Sequence, residues 1–328
     1  MKEVAIGIDI GGTNTSFGIV DREGNTLVED SIKTNGNGNI EEYLKNLSQD
    51  LKNRISSLNE EVDIKGIGVG APNGNYYNGT IEHAPNLVWK GIIPFVEMFQ
   101  KHFPDIPITL TNDANAAAIG EMVYGAAKDI KNFITITLGT GLGGGVVANG
   151  RLIYGHDGFA GELGHIIIKR KGRKCGCGRR GCLETYVSAT GIKRTVMELL
   201  SNETVDSDLR RVNFEDLNGK MITKAAEKGD KIALKAYEIT GEILGYALAD
   251  LMAILSPEVI YLFGGLAKAG DFLFEPVRKN FDKYVLPIMK NKIKIVPSGL
   301  QGKNVAVLGA SALVWRELKK KEEASILK

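Results

Sequence analysis

The sequence predicts a two-domain α/β fold, on three observations. Strand-like and helix-like segments alternate along the chain, one strand–loop–strand unit occurs twice, and the chain has 328 residues. Alternation of this kind lays helices over mixed sheets, and a chain of this length divides into roughly two domains.

Each element has its own justification. Residues 4–9 form an apolar strand, Gly11, Gly12, Thr13 and Asn14 a tight loop, and residues 17–20 the returning strand, closed by Glu23-Gly24-Asn25. Helical spacing runs over 40–58, followed by a buried strand over 64–70 and a short one over 106–111. An alanine-rich helix begins at 114 and runs to 124. Residues 133–138, the loop Gly139-Thr140-Gly141 with Gly143, Gly144 and Gly145, and residues 146–148 repeat the opening unit. That second unit closes on Asn149-Gly150, a pair that forms hairpin turns because both residues accept positive φ. An amphipathic helix over 233–255 stops before Pro257, since proline cannot continue it. A strand over 259–263 runs into Gly264-Gly265, and a last helix over about 309–320 leads to a frayed Lys/Glu tail. Glycine- and threonine-rich loops expose backbone N–H groups to phosphate oxygens. One such loop is usually just a turn, whereas two in the same strand context form a pattern.

All three cysteines lie within Cys175-Gly176-Cys177-Gly178-Arg179-Arg180-Gly181-Cys182, with His165 upstream and Glu184 just beyond. Three thiolates and one imidazole match the ligand set of a closed, structural zinc site. Buried free cysteines would not be confined to one glycine-punctuated cluster, and an odd number leaves a disulfide scaffold with one thiol over. Net charge is only +2, with 43% hydrophobic and 24% charged residues, so no electrostatic footprint points to nucleic acid. The basic stretch Lys169-Arg170-Lys171-Gly172-Arg173-Lys174 reads as a solvated loop face. No apolar run approaches the ~20 residues of a membrane span. The chain enters a strand at once with no secretory signal visible, and with reduced cysteines the expected location is the cytoplasm.

Five motifs in order resemble the ROK family of sugar kinases and sugar-responsive repressors. They are Asp9-x-Gly-Gly-Thr-Asn, Asn112-Asp113-Ala114-Asn115-Ala116, the loop from Leu138 to Gly145, Gly161-Glu162-Leu163-Gly164-His165, and the cysteine cluster ending Leu183-Glu184. The resemblance covers essentially the whole chain. It implies an actin-like, hexokinase-type (ribonuclease H-like) fold with a central cleft. The small domain would comprise 1–113 plus about 306–328, and the large domain 114–305 with the zinc loop.

The resemblance also assigns roles. Asp113 is the general base, where a helix N-cap is the plainer reading. Asn112, Glu162, His165 and Glu184 are sugar contacts, joined by Asn75 and Asn86 from two further loops. Many relatives carry glycine where Asn73 stands after Pro72. Asp9, Gly11, Gly12, Thr13 and Asn14 form the first phosphate loop, Gly139, Thr140 and Gly141 the second, and Gly264 and Gly265 a nucleotide-binding turn. Asp9 positions Mg²⁺, which keeps most of its waters and takes few carboxylates. His165 serves twice, one nitrogen on zinc with Cys175, Cys177 and Cys182 and the other toward a sugar hydroxyl. Trp89 reads as core filling.

The implied activity is phosphoryl transfer from MgATP to a hexose by a homodimer. The stretch Pro85-Asn86-Leu87-Val88-Trp89-Lys90 resembles that of bacterial glucokinases, so glucose is the expected acceptor. N-acetylmannosamine, N-acetylglucosamine, fructose and allose are alternatives. A repressor of the same family would carry a helix-turn-helix ahead of the first loop, and only eight residues precede Asp9. A non-catalytic sugar-binding protein would not need Asp113 with two phosphate loops.

Overall fold

The duplicated strand–loop–strand units each seed a five-stranded sheet. The computed structural model describes residues 1–34, 38–300 and 304–326. The first unit gives β1 (Lys2–Ile10), β2 (Asn14–Asp21) and β3 (Thr26–Lys33). Then come α1 (Ile40–Ser56), β4 (Val62–Ala71), the short strands β5 (Gly74–Asn75), β6 (Thr80–Glu82) and β7 (Ile92–Ile93), α2 (Phe95–Gln100), β8 (Ile108–Asn112) and α3 (Asp113–Val123). The second unit gives β9 (Phe133–Leu138), β10 (Leu142–Ala148) and β11 (Arg151–Leu152). The rest of the chain adds α4 (Glu184–Val187), α5 (Ala189–Asn202), α6 (Gly219–Glu227) and α7 (Lys231–Leu255). It ends with β12 (Val259–Phe263), α8 (Asp271–Tyr284), β13 (Lys294–Pro297) and α9 (Val305–Ile326).

The strand orders are β3-β2-β1-β4-β8 and β11-β10-β9-β12-β13. In each sheet a three-stranded antiparallel meander is extended by two parallel strands. The duplication read from the loops is therefore a duplication of sheet topology. As expected, Asn149 and Gly150 both take positive φ, 51° and 69°.

Both faces of the first sheet are covered. Ile6 and Ile8 of β1 pack with Leu44, Leu47 and Leu51 of α1. Ala5, from the alternate face, packs with Val307 and Leu308 of α9. Contact with α9 is so close that a Cβ on Gly68 would lie 1.8 Å from the Ala310 carbonyl oxygen, so only glycine fits there. The second sheet packs with α5, α6, α7 and α8 in a separate core that includes Ile134, Ile136, Tyr237 and Leu248. Helix α3 touches both α9 and β10, so it links the two sheet systems.

Two helices run longer than the sequence reading. Helix α7 starts at Lys231 because the Asp230 carboxylate accepts the Ile232 and Ala233 N–H groups, at 2.9 and 3.0 Å. Helix α9 starts at Val305 and runs through the expected frayed tail to Ile326. Lys and Glu are good helix formers, and Lys320 pairs with Glu317 at 2.6 Å. The end of the proposed small domain, 327–328, lies outside the described residues.

Candidate active site

Loops from both sheets converge on a cleft of about 1500 Å³. On the expected sugar side it is lined by Asn86, Asn112, Asp113, Glu162, His165 and Glu184. On the expected phosphate side it is lined by Asp9, Gly139, Thr140, Gly141, Gly264 and Gly265. Gly11, Gly12, Thr13 and Asn14 do not line it. They form the β1–β2 turn, closed by the Gly11 N–H on the Asn14 carbonyl at 3.0 Å. That turn packs on the sugar-side loop, for a Cβ on Gly12 would lie 2.7 Å from the Asn86 carbonyl oxygen.

Asn75 corrects the sequence reading. Its side chain is buried behind the cleft wall, at 2% exposure. The amide donates to Glu82 Oε1 at 3.0 Å and to the Asp157 carbonyl at 2.9 Å, and Oδ1 accepts the Tyr77 N–H. With both donors and the amide oxygen engaged, Asn75 ties the β5–β6 turn to the segment leading to Glu162. Asn73, two residues earlier, does line the cleft, and with φ of 51° it occupies the left-handed region that Asn and Gly visit most readily. Trp89 is buried against Tyr43, ring centroids 4.6 Å apart, as expected of core filling.

The strand-to-helix junction after β8 separates two jobs. Asn112 is the N-cap of α3, its Oδ1 accepting the Ala114 N–H at 2.8 Å. Asp113 Oδ1 accepts the same N–H at 2.8 Å. Capping therefore does not depend on Asp113, and its carboxylate remains available to the cleft. Asp113 is open to solvent, yet the protein atoms crowding the cleft desolvate its carboxyl and raise it above the usual range. Burial, and then the charge of Asp113, pushes Asp9 up to about 7. Glu162 is raised as well, mainly by burial, against the attraction of His165.

The cysteine cluster closes as a ligand set. Ligand atoms of His165, Cys175, Cys177 and Cys182 all lie within 4.8 Å of one another. Cys177 and Cys182 Sγ are 3.7 Å apart, and Cys175 Sγ is 3.7 Å from His165 Nδ1. A tetrahedral zinc with Zn–S bonds of about 2.3 Å separates its sulfurs by about 3.8 Å, so the residues fit the ion. The other imidazole nitrogen, Nε2, stands 3.8 Å from Glu162 Oε2. Glu184 joins cluster to cleft, with Oε1 3.1 Å from Cys175 Sγ and Oε2 accepting the Leu142 N–H at 3.3 Å.

One residue of the basic stretch behaves unlike its neighbours. Arg173 is only 11% exposed and lies over the Tyr186 ring. Its guanidinium donates to Glu198, Thr195 and the Thr185 and Gly191 carbonyls. It braces the ligand loop on α5, while Lys169, Arg170, Lys171 and Lys174 are exposed as expected.

Sequence reasoning missed Asn115, Arg194 and Lys268, which also line the cleft. Asn115 could have been found, because it belongs to the Asn112-Asp113-Ala114-Asn115 motif. Its Oδ1 is buried and makes no hydrogen bond among the described residues. Arg194 and Lys268 carry no local signal, since a Lys-Arg pair on a helix and a lysine on a turn are ordinary.

Known proteins extend this picture. The ROK family model matches residues 5–317. A glucokinase from Halalkalibacterium halodurans is 36% identical over 320 residues, covering 95% of both chains. A xylose repressor from Bacillus spizizenii is 31% identical over 94% of this chain and 76% of its own. Among solved structures, a ROK family glucokinase from Streptomyces griseus, in complex with glucose and AMPPNP, superposes with a TM-score of 0.79 at 29% identity. That match covers 95% of this chain and 99% of the other. Sequence and fold agree over nearly the full length, and the chain belongs to the ROK family.

Proposed function

We propose that this protein is an ATP-dependent glucokinase, transferring the γ-phosphoryl group of ATP to the 6-hydroxyl of glucose. The observation that carries the reading is Asp113, free of sole capping duty, standing in one cleft with sugar-reading side chains and two glycine-rich turns. As the glucose hydroxyl oxygen attacks phosphorus, its proton passes to the Asp113 carboxylate. The new O–P bond forms as the bond to the β-phosphate bridging oxygen breaks, and ADP departs with that electron pair. Such transfer is catalysed mainly by positioning and charge stabilisation. Asn86, Asn112, Glu162, His165 and Glu184 orient the hexose, using directional donors and acceptors. Thr140 and Gly141 present backbone N–H groups to phosphate, while the Gly139 N–H closes the turn on the Gly141 carbonyl at 3.1 Å. Asp9 would hold Mg²⁺ through water, which supplies charge neutralisation on the triphosphate.

His165, Cys175, Cys177 and Cys182 would hold a structural zinc that keeps the Glu162–Glu184 loop in shape and leaves no open coordination position. The division into units 1–113 with 306–328 and 114–305 is supported by the distinct cores under α1 and around α5 to α8, while Ile119 and Tyr124 pack with α9 across the boundary. Homodimer assembly and a cytoplasmic location rest on family membership alone. Among the described residues no helix is long and apolar enough to cross a membrane.

A coupled ADP-release assay across hexoses tests the reading. Glucose is expected to give the highest kcat/KM, because buried groups left unpaired by a mispositioned hydroxyl reject epimers strongly. A higher value for N-acetylmannosamine, N-acetylglucosamine, fructose or allose would replace glucose as acceptor and leave the kinase class standing. No turnover with any of them would remove the kinase.

The raised carboxyls set a pH dependence. Asp9 and Asp113 gain their charges only as pH rises through elevated values, so activity that needs both falls on the acid side. For the free enzyme, kcat/KM is expected to drop below a midpoint near neutrality, about pH 7. Higher Mg²⁺ should move that midpoint down, since a nearby cation favours the ionised carboxylate. A flat profile between about pH 6 and 8 at low Mg²⁺ would contradict the assignment.

A further inference from the structure

The titratable residues lining the cleft are distributed unevenly. Its carboxylates are Asp9, Asp113, Glu162 and Glu184. Three of these belong to the acceptor side, and Asp9 lies beside Asp113 closely enough to feel its charge. Among the described residues the cleft has two lysine or arginine side chains, Arg194 and Lys268. Among the described residues neither pairs with a carboxylate, and the Arg194 guanidinium donates to a neutral acceptor, the Lys174 carbonyl, at 3.1 Å.

Both cations are suspended from the base of the same loop. Helix α5 begins where the Ala189 N–H bonds to the Gly139 carbonyl at 2.8 Å. Arg194 is the sixth residue of that helix, about 7.5 Å along its axis from the start at 1.5 Å per residue. The turn carrying Lys268 begins where the Leu266 N–H bonds to the Leu138 carbonyl at 3.1 Å. Leu138 and Gly139 are consecutive, and they lead directly into Gly139-Thr140-Gly141. One cation therefore branches from each of two adjacent carbonyls at the loop base, in a wall that also carries the Thr140 and Ser188 hydroxyls.

From this arrangement we propose that Arg194 and Lys268 form a cationic bracket that binds the phosphates of the donor nucleotide. The inference rests on the kinase reading above and adds how the donor is held and oriented. A triphosphate entering the cleft meets carboxylates at the acceptor end and positive charge at the other. That polarity holds the α- and β-phosphates near α5 and the β12 turn, and leaves the γ-phosphate facing Asp113. Arginine supplies a planar fork suited to phosphate oxygens, and lysine a compact point charge.

The test is titration calorimetry with MgATP, MgADP and adenosine in the absence of sugar, together with steady-state KM values. Arg194→Gln keeps a donor for the Lys174 carbonyl but removes the charge, and Lys268→Met keeps the length of the side chain. Each is expected to weaken MgATP and MgADP binding about tenfold, to leave adenosine binding unchanged, and to raise KM for MgATP but not for hexose. The dependence of MgATP affinity on salt should also flatten in each variant, and Arg194→Lys should recover part of the affinity. Unchanged nucleotide affinity in both charge-neutral variants would overturn the bracket, as would a defect confined to hexose. Absence of sugar phosphorylation by the wild type would sink the kinase reading, while the calorimetric arm would still decide the bracket.

Discussion

Cys177→Ser is expected to empty the metal site and to lower turnover by at least about a hundredfold, beyond the ~10–100-fold typical of losing an outer partner of a metal ligand. Cys177 is exposed at the cleft edge while Cys175 and Cys182 are buried, so the substitution removes a ligand with little effect on core packing. The consequence reaches the acceptor side through two contacts. His165 presents Nδ1 to the cluster and Nε2 to Glu162, so losing the metal would free the ring that sits beside the carboxylate proposed to read the sugar. Glu184, which touches Cys175 and the Leu142 N–H, loses its bearing on the phosphate loop. Elemental analysis of protein purified without added metal should give about one zinc per chain for the wild type and far less for the variant. The variant should also show a raised KM for hexose and earlier proteolysis within 166–183. Metal-free wild-type protein with full activity would end the structural-zinc reading.

The sheet architecture was legible because glycine-rich loops between apolar strands are a local signal, and their repetition carried the topology with it. Boundaries were less legible where tertiary partners decide them. Helix α9 extends at both ends of the expected span, and its fit against β4 depends on Gly68, distant in sequence. Short strands hid most. β5 has two residues, too few for an alternation pattern to reveal which side chain points inward. The resemblance made Asn75 a sugar contact, and nothing in so short a strand showed that its amide is committed to Glu82 and Asp157.

The candidate site was legible wherever chemistry needs several unusual residues close together in sequence. Cysteines punctuated by glycine, and Asn112-Asp113 between strand and helix, are of that kind. Arg173 was read with its charged neighbours as a solvated face, because nothing local distinguishes the arginine that turns inward to lie over Tyr186. Arg194 and Lys268 come together only through the hydrogen bonds of Ala189 and Leu266 to adjacent carbonyls, a relation between segments far apart in the chain.

Asp113→Asn is expected to retain the fold and hexose binding while kcat falls by ~10²–10⁴, the usual contribution of a positioned general base. Asn112 already caps α3, so the amide at position 113 leaves the Ala114 N–H satisfied and the helix start intact. An amide also keeps the shape and an acceptor oxygen, which preserves contact with a sugar hydroxyl, but it takes no proton at neutral pH. KM for glucose should stay near the wild-type value, with the defect in kcat and a melting temperature close to the wild type. The same substitution removes the charge that helps push Asp9 up to about 7. Residual activity should therefore show its acid limb at lower pH, and that shift would not follow from damage to the helix alone. Near-normal kcat would make Asp113 a second cap for α3. A large fall in melting temperature with kcat and KM changing together would mean that the residue acts through the fold rather than on the proton.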